Sequence, residues 1–328
     1  MSYNVENLFD TKDDSLYNDS EYLFGGIRGW NYERYRQKLS NIAKVIVAVG
    51  QWRAPAIVGL CEIENGNVLK DLIYKTGLNN IGYRFIQYDS PDARGVDVAM
   101  LYLPEFFKPL SSRPIRVVFP NSTSTTRDIL YVCGIINHTD TLHVFVNHFP
   151  SRLGGELESA GRRETAASVL RSAVDSVFVA NSNAAIVIIG DFNDYPDNAS
   201  ITKTLNAIDL GKNIVPSQLY NLTYQIHQQG KIGTYKHNGE WGMLDQIIVS
   251  GALINNSLRT TVLPSTVAVF APDWLLEDDK TVGLRPFRTY IGMTYNNGYS
   301  DHLPVFVKFI TKNEELFKET VQEQTRER

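Results

Sequence analysis

The chain has 328 residues, 36 acidic against 32 basic, and a formal charge of −4; that balance excludes a protein that coats nucleic acid by charge alone, because such affinity comes from counterion release by basic side chains. It leaves room for an enzyme that meets phosphate at one local, metal-loaded site. With 43% hydrophobic and 21% charged residues, two cysteines and no apolar run near the roughly 18 residues of a membrane helix, the disordered, collagen-like, disulfide-scaffold and membrane-spanning classes drop out as well.

Strand patterns recur along the chain: Tyr3 to Phe9, Ala56 to Ile63, Val96 to Leu103, Ile129 to Asn137, Leu142 to Phe149, Ala184 to Gly190, Leu244 to Ser250 and Leu303 to Ile310. The first begins at once, with no leader ahead of it. Several are continuous apolar runs, which predicts strands covered on both faces. Cys61 and Cys133 fall inside such runs and are expected to be buried free thiols.

Two amphipathic helices are predicted between the strands. Over 31–49, Tyr32, Tyr35, Leu39, Ile42, Ile46 and Val49 recur at helical spacing; over 160–179, Ala167, Leu170, Val174 and Phe178 do so, with Arg162, Arg163, Glu164 and Arg171 left for water. Asp10 to Asn31 and Pro264 to Tyr299 read as long irregular stretches, of the kind that carries function. No linker or repeat divides the chain, so one domain is expected over 1–311, followed by a charged tail over 312–328.

The functional signal lies where polar residues interrupt apolar strands. AIVIIGDFNDYPDN sets Asp191 and Asn193 just past a buried strand, and VFVNHFPSR sets Asn147, His148 and Arg152 past another. GLCEIEN ends a strand with Glu62 and Glu64, SYNVENLF carries Asn4, MLDQIIVS starts with Asp245, and GYSDHLPVFVKF with Asp301 and His302. Taken singly, each has a structural explanation: Asp-Phe-Asn before proline makes a turn, Asp-His a surface pair, a lone histidine a satisfied core residue. Together they are costly to desolvate unless they pair or bind an ion. Carboxylate oxygens suit a hard cation such as Mg²⁺, Mn²⁺ or Ca²⁺, and the scattered histidines lack zinc spacing. Cation, histidine pair and asparagines are the parts that phosphate-ester hydrolysis needs.

These motifs, in this order from residue 2 to about 310, resemble the endonuclease/exonuclease/phosphatase superfamily, which includes deoxyribonuclease I, apurinic endonucleases, inositol polyphosphate phosphatases and sphingomyelinases. NHFPSRLGG, GRRETAA and SDHLP resemble a bacterial group of predicted hydrolases within it. The resemblance implies an α+β fold, a four-layer αββα sandwich of two mainly antiparallel sheets flanked by helices, with the site at one end. It implies Glu62 as the principal metal ligand with Asn4 and Asp301 beside it, Asp191 to orient or deprotonate the attacking water, and Asn193 to hold the phosphate. His302 would contact the scissile phosphate with Asp245 fixing its tautomer, and His148 would help protonate the leaving oxygen, a match that counts against a dedicated abasic-site repair enzyme.

Glu64 is left open between a structural and a metal-supporting role. Arg152 and Arg162 are candidates to grip substrate phosphate, since guanidinium matches phosphate geometry, with a surface salt bridge as the alternative for Arg162. The expected activity is divalent-metal-dependent hydrolysis of a phosphodiester by in-line attack of water, of nuclease type, on a phosphate-ester substrate, with nucleic acid as one candidate. The alternatives are a phosphomonoesterase, a phospholipid or sugar-phosphate phosphodiesterase, and a non-catalytic phosphate-binding module. No protein partner is evident and a monomer is expected. The amino terminus resembles exported bacterial relatives, so a periplasmic or extracellular protein is expected, its leader absent from this chain.

Overall fold

A computed structural model describes residues 1–120, 122–152 and 154–312; the expected tail lies, past Lys312, outside the described residues. In chain order the elements are β1 (Ser2–Leu8), α1 (Tyr32–Gly50), β2 (Ile57–Ile63), α2 (Gly66–Tyr74), β3 (Arg84–Gln87), β4 (Asp97–Tyr102), β5 (Phe107–Ile115), β6 (Ile129–Ile136), β7 (Asp140–His148), α3 (Glu156–Ala180) and β8 (Ala185–Asp191). There follow β9 (Ala207–Ile208), β10 (Leu219–Asn221), α4 (Tyr224–Gln229), β11 (Tyr235–His237), β12 (Glu240–Gly242), β13 (Asp245–Ser250) and β14 (Thr260–Val269). The chain closes through β15 (Leu276–Asp279), β16 (Gly283–Pro286), β17 (Tyr290–Ile291), β18 (Thr294–Tyr295) and β19 (Val305–Thr311).

Two large sheets form, one of six strands in the order β14-β19-β1-β2-β4-β3, the other of seven in the order β5-β6-β7-β8-β13-β10-β9. Neighbours are antiparallel except β1 with β2, β7 with β8 and β9 with β10. The period of two sorts each strand's side chains. In β2, Val58 and Leu60 face α1 and α2, packing on Leu39, Ile42, Ile46 and Leu69, while Cys61 joins the layer between the sheets. In β8, Ile186 and Ile188 pack under Ala167, Leu170 and Val174 of α3, while Val187 and Ile189 turn inward. The result is the four-layer αββα sandwich. Gly59 lies on the inner face of β2, where a Cβ would come 2.6 Å from Ile189 Cδ1, so the sheets approach each other closely there.

Three local expectations change. Pro264 to Tyr299 is no irregular insertion: β14 runs to Val269 and two hairpins, β15–β16 and β17–β18, occupy the rest. Arg163 does not face water; it is 1% exposed, with Nε 2.6 Å from Asp194 Oδ1 and Nη1 donating to Ser159 Oγ. Cys61 is buried as expected, but Cys133 is half-buried.

Candidate active site

Three strands of the seven-stranded sheet build one polar row. Since Val187 and Ile189 of β8 face the other sheet, Asp191 does too. The register sets Asp191 opposite His148 at the end of β7 and opposite Asp245 at the start of β13. Imidazole and two carboxylates therefore stand side by side where each strand leaves its apolar run. Gly190 makes the close approach possible: its φ is +139°, and a Cβ would lie 1.9 Å from the Asn147 carbonyl oxygen.

The six-stranded sheet supplies the other half. Asn4 of β1 donates Nδ2–H to Asp191 Oδ2 at 3.0 Å, and the Asn193 backbone N–H reaches Oδ1 at 2.9 Å. Asn193 has a φ of +49°, and its side-chain amide donates to the Phe149 carbonyl at 3.0 Å. His302, just before β19, has Nδ1 2.6 Å from Asp245 Oδ2 and Nε2 3.8 Å from Asp191 Oδ2. Its ring packs on Tyr235 at 5.0 Å between centroids. Ser300 ties this turn to β1, donating Oγ–H to the Asn4 carbonyl at 2.7 Å and accepting the His302 N–H.

The two histidines differ in charge. Burial disfavours the His302 imidazolium, but the Asp245 carboxylate and then Asp191 outweigh it, holding His302 well above the ordinary histidine range. His148 has Nε2 3.6 Å from Asp191 Oδ2 and 4.0 Å from Glu62 Oε1. Burial, then the charges of Arg127, Arg94 and His302, push it well below that range, so the ring is neutral. Asp191 is pushed up to about 6 by burial, against the pull of His302.

Glu62 is placed by strained backbone. It has a φ of +66° at a bulge where the β2–β4 register shifts between Cys61 and Ile63, a conformation that costs about 1–3 kcal/mol for a residue other than glycine. Oε2 accepts the Asn7 N–H at 2.9 Å. The bulge also decides Glu64, which would share the face of Glu62 only on a regular strand. Glu64 instead accepts the Asp10 N–H at 2.6 Å, and burial pushes it up to about 8. Its contact is structural.

Asn4, Glu62 and Asp301 offer hard oxygen donors of the type that binds Mg²⁺, Mn²⁺ or Ca²⁺. Asp301 is half-buried, and its charge, after burial itself, helps push neighbouring Glu6 up to about 7. Lys38 and Arg288 face the same carboxylates, so the fit to a divalent cation rests on the oxygen donors themselves. Among the described residues, Asp191, Asp245 and His302 also bring ligand atoms within 4.8 Å of one another. There His302 is hydrogen-bonded to Asp245 and held charged, and a protonated imidazole has no lone pair to give, so this set is a proton-holding relay.

Arg152 is engaged in the scaffold: Nε donates to the Asn193 carbonyl at 2.7 Å, Nη2 to Asn198 Oδ1 at 2.9 Å, and Nη1 meets Glu156 at 3.0 Å. It fixes the loop that carries Asn193. Arg162 is exposed and lines a separate small cavity. The sequence reading passed over Arg94, exposed with Nη1 3.8 Å from Glu62 Oε1, and Arg127, buried with Nη1 on Asp92 at 3.0 Å and Nη2 on the Phe149 carbonyl at 2.5 Å. Each arginine stands just before an apolar strand, in DARGVDV and TTRDILYV, the same signal that marked Asp245 and Asp301.

The model of the Endonuclease/Exonuclease/phosphatase family matches residues 1–312. No curated protein sequence matches the chain significantly. Among solved structures, the chain is similar to the human Nocturnin catalytic domain with bound sulfate, at 17% identity over 86% of this chain and 88% of that one, TM-score 0.53. It is similar to the mannosyl-6-phosphatase Bt3783 of Bacteroides thetaiotaomicron, at 17% identity over 94% and 98%, TM-score 0.55. It is also similar to D. rerio TDP2 complexed with single strand DNA product, at 16% identity over 84% and 93%, TM-score 0.53. At such identities the likeness is one of fold.

Proposed function

The chain belongs to the endonuclease/exonuclease/phosphatase family, whose members are metal-dependent hydrolases of phosphate esters, and on that premise we propose that it cleaves a phosphodiester, as a nuclease-type enzyme, by in-line attack of water. The observation that carries this reading is the setting of Asp191. Its two oxygens are held by separate donors, Asn4 and the Asn193 N–H, and a charged and a neutral imidazole flank it.

Asp191 holds the attacking water and takes its proton, and a carboxyl raised to about 6 is a stronger base than an ordinary one while still ionised at neutral pH. His302, oriented by Asp245, donates from Nε2 to an oxygen of the scissile phosphate and offsets the charge that develops there. Asn193 contributes an amide N–H to the phosphate. His148, kept uncharged by burial in the free protein, is a hydrogen-bond partner for the phosphate, and the expected role of proton source for the leaving oxygen calls for its protonation once phosphate is bound. Asn4, Glu62 and Asp301 would hold a divalent cation, which would supply charge neutralisation and polarise the phosphate. No covalent intermediate is required.

The single strand DNA product in the TDP2 complex supports a diester substrate of nucleic-acid type. A monoesterase reading draws on the similarity to a mannosyl-6-phosphatase and on Arg94, whose exposed guanidinium beside Glu62 suits a dianion. Rates on bis-p-nitrophenyl phosphate and p-nitrophenyl phosphate with Mg²⁺, Mn²⁺ or EDTA separate the two. Hydrolysis of the diester that vanishes in EDTA and falls about 10²–10⁴-fold in Asp191→Asn is expected; undiminished turnover in either condition overturns the assignment.

A further inference from the structure

We infer that a second phosphate-binding pocket lies beside the reacting site, lined by Thr125, Thr126, Arg127, Ser151 and Arg162 against Phe119, and that it takes a non-reacting phosphate of the substrate. The inference rests on the phosphodiesterase reading above for the substrate, and on the pocket's own chemistry for the anion.

The cavity has a volume of about 120 Å³, room for several waters or for a phosphoryl group. Two of its lining residues carry buried polar atoms with no hydrogen-bond partner in the protein: Oγ1 of Thr126, 2% exposed, and Nε of Arg127, 6% exposed. Burying such a group unpaired costs about 1–3 kcal/mol, so the cavity is built for something that accepts hydrogen bonds. On the Arg127 guanidinium, Nη1 donates to Asp92 and Nη2 to the Phe149 carbonyl, while Nε has no partner.

Charge points the same way. Arg162 stands exposed at the cavity with no ion pair among the described residues, and no acidic residue lines the wall. Asp92 offsets Arg127, so the charge of Arg162 is left for a ligand. An acceptor-only group meeting a hydroxyl, a guanidinium N–H and a free cation is an oxyanion of phosphate type.

The pocket is also wired to the reacting site. The Phe149 carbonyl accepts from Arg127 Nη2 and from Asn193 Nδ2, so one oxygen positions both the pocket wall and the amide assigned to the scissile phosphate. Pro150 and Ser151 of the wall follow His148 by only two and three residues. A substrate with phosphates spaced along it, whether a polynucleotide or a small molecule with two phosphates, spans the two positions.

The test compares kcat/KM for thymidine 5′-(p-nitrophenyl phosphate) with and without a 3′-phosphate, in wild type, Arg162→Ala and Thr126→Val. The 3′-phosphate is expected to raise kcat/KM about tenfold or more in wild type, with the preference collapsing toward one in both variants. No preference in wild type, or one that both variants retain, overturns the substrate assignment. A second measurement needs no turnover: in EDTA, millimolar sulfate raises the Tm of wild type more than that of Arg162→Ala. An equal shift in the two proteins means an adventitious ion only and removes the pocket. If no phosphate ester is hydrolysed but the Arg162-dependent shift is present, the phosphodiesterase reading fails and the anion pocket stands. If the shift is present with turnover but without preference, the pocket takes a free anion and the substrate half is wrong. A polynucleotide cleaved faster than the 3′-phosphorylated nucleotide identifies the longer substrate as the source of the second phosphate.

Discussion

Nδ1 of His302 lies 2.6 Å from Oδ2 of Asp245, and that contact fixes both the tautomer and the charge of the ring. With the Nδ1 proton committed to Asp245, Nε2 carries the proton that faces Asp191 and the substrate position. Asp245→Asn removes the carboxylate that favours the imidazolium while keeping the side chain's shape. It is expected to lower kcat about 10²–10³-fold with little change in Tm. The Asp245 carboxylate is the strongest charge holding His302 up, so the alkaline limb of the kcat/KM profile moves to lower pH in the variant. An unmoved limb would mean that His302 is not the group that must stay charged.

Cation binding is checked by stability in the absence of substrate. A ligand at 100 times its Kd stabilises the folded state by about 2.7 kcal/mol. Mg²⁺ or Mn²⁺ is expected to raise the Tm of the wild type and to leave that of Glu62→Gln unmoved, measured by calorimetry against an EDTA baseline. The same shift in both proteins would place the cation elsewhere.

Glu64 gives a pH prediction of definite sign. Its folded value of about 8 lies above the ordinary carboxyl value of 4.5, so the folded state binds the proton more tightly. The stability this lends is complete below about pH 4.5 and disappears as pH rises toward 8. Glu64→Gln keeps an acceptor for the Asp10 N–H without the buried charge. In metal-free buffer it is expected to be more stable than wild type at pH 8–9, by on the order of 1–2 kcal/mol, with the gap closing near pH 5. Urea unfolding at both pH values measures it.

Arg163 carries the opposite expectation. Its Nε–Asp194 contact of 2.6 Å is buried, and Asp194 also anchors Ser200 Oγ and Arg152. Arg163→Met leaves a buried carboxylate short of its nearest partner and is expected to destabilise by about 3 kcal/mol. A loss under ~0.5 kcal/mol in denaturant would show that Arg152 alone suffices.

Much of this site was legible because its residues break apolar runs: Asp191, His148 and Asp245 stand where β8, β7 and β13 leave or begin theirs. What was not legible was alignment. Only the register of β8 against β7 and β13 shows that the three share one row. The bulge at Glu62 was equally hidden, because a left-handed glutamate has no sequence signature, and it sends Glu62 and Glu64 to different neighbours. Arg163 read as solvated because its spacing put it among charges, and only the loop from Asp191 to Asn198 supplies its partner. The hairpins between Leu276 and Tyr295 are too short and too charged to show alternation.

Gly59 carries a final consequence. Asn4, Glu62 and Asp301 ride on one sheet, His148, Asp191 and Asp245 on the other, and Gly59 lets the inner faces close until Ile189 occupies the place of a side chain. The gap between the two halves of the chemistry is thus set by the thickness of the core, and turnover becomes a caliper for it. A methyl group at Gly59 is a wedge: it spreads the halves apart, and catalysis should fade while both sheets are still folded.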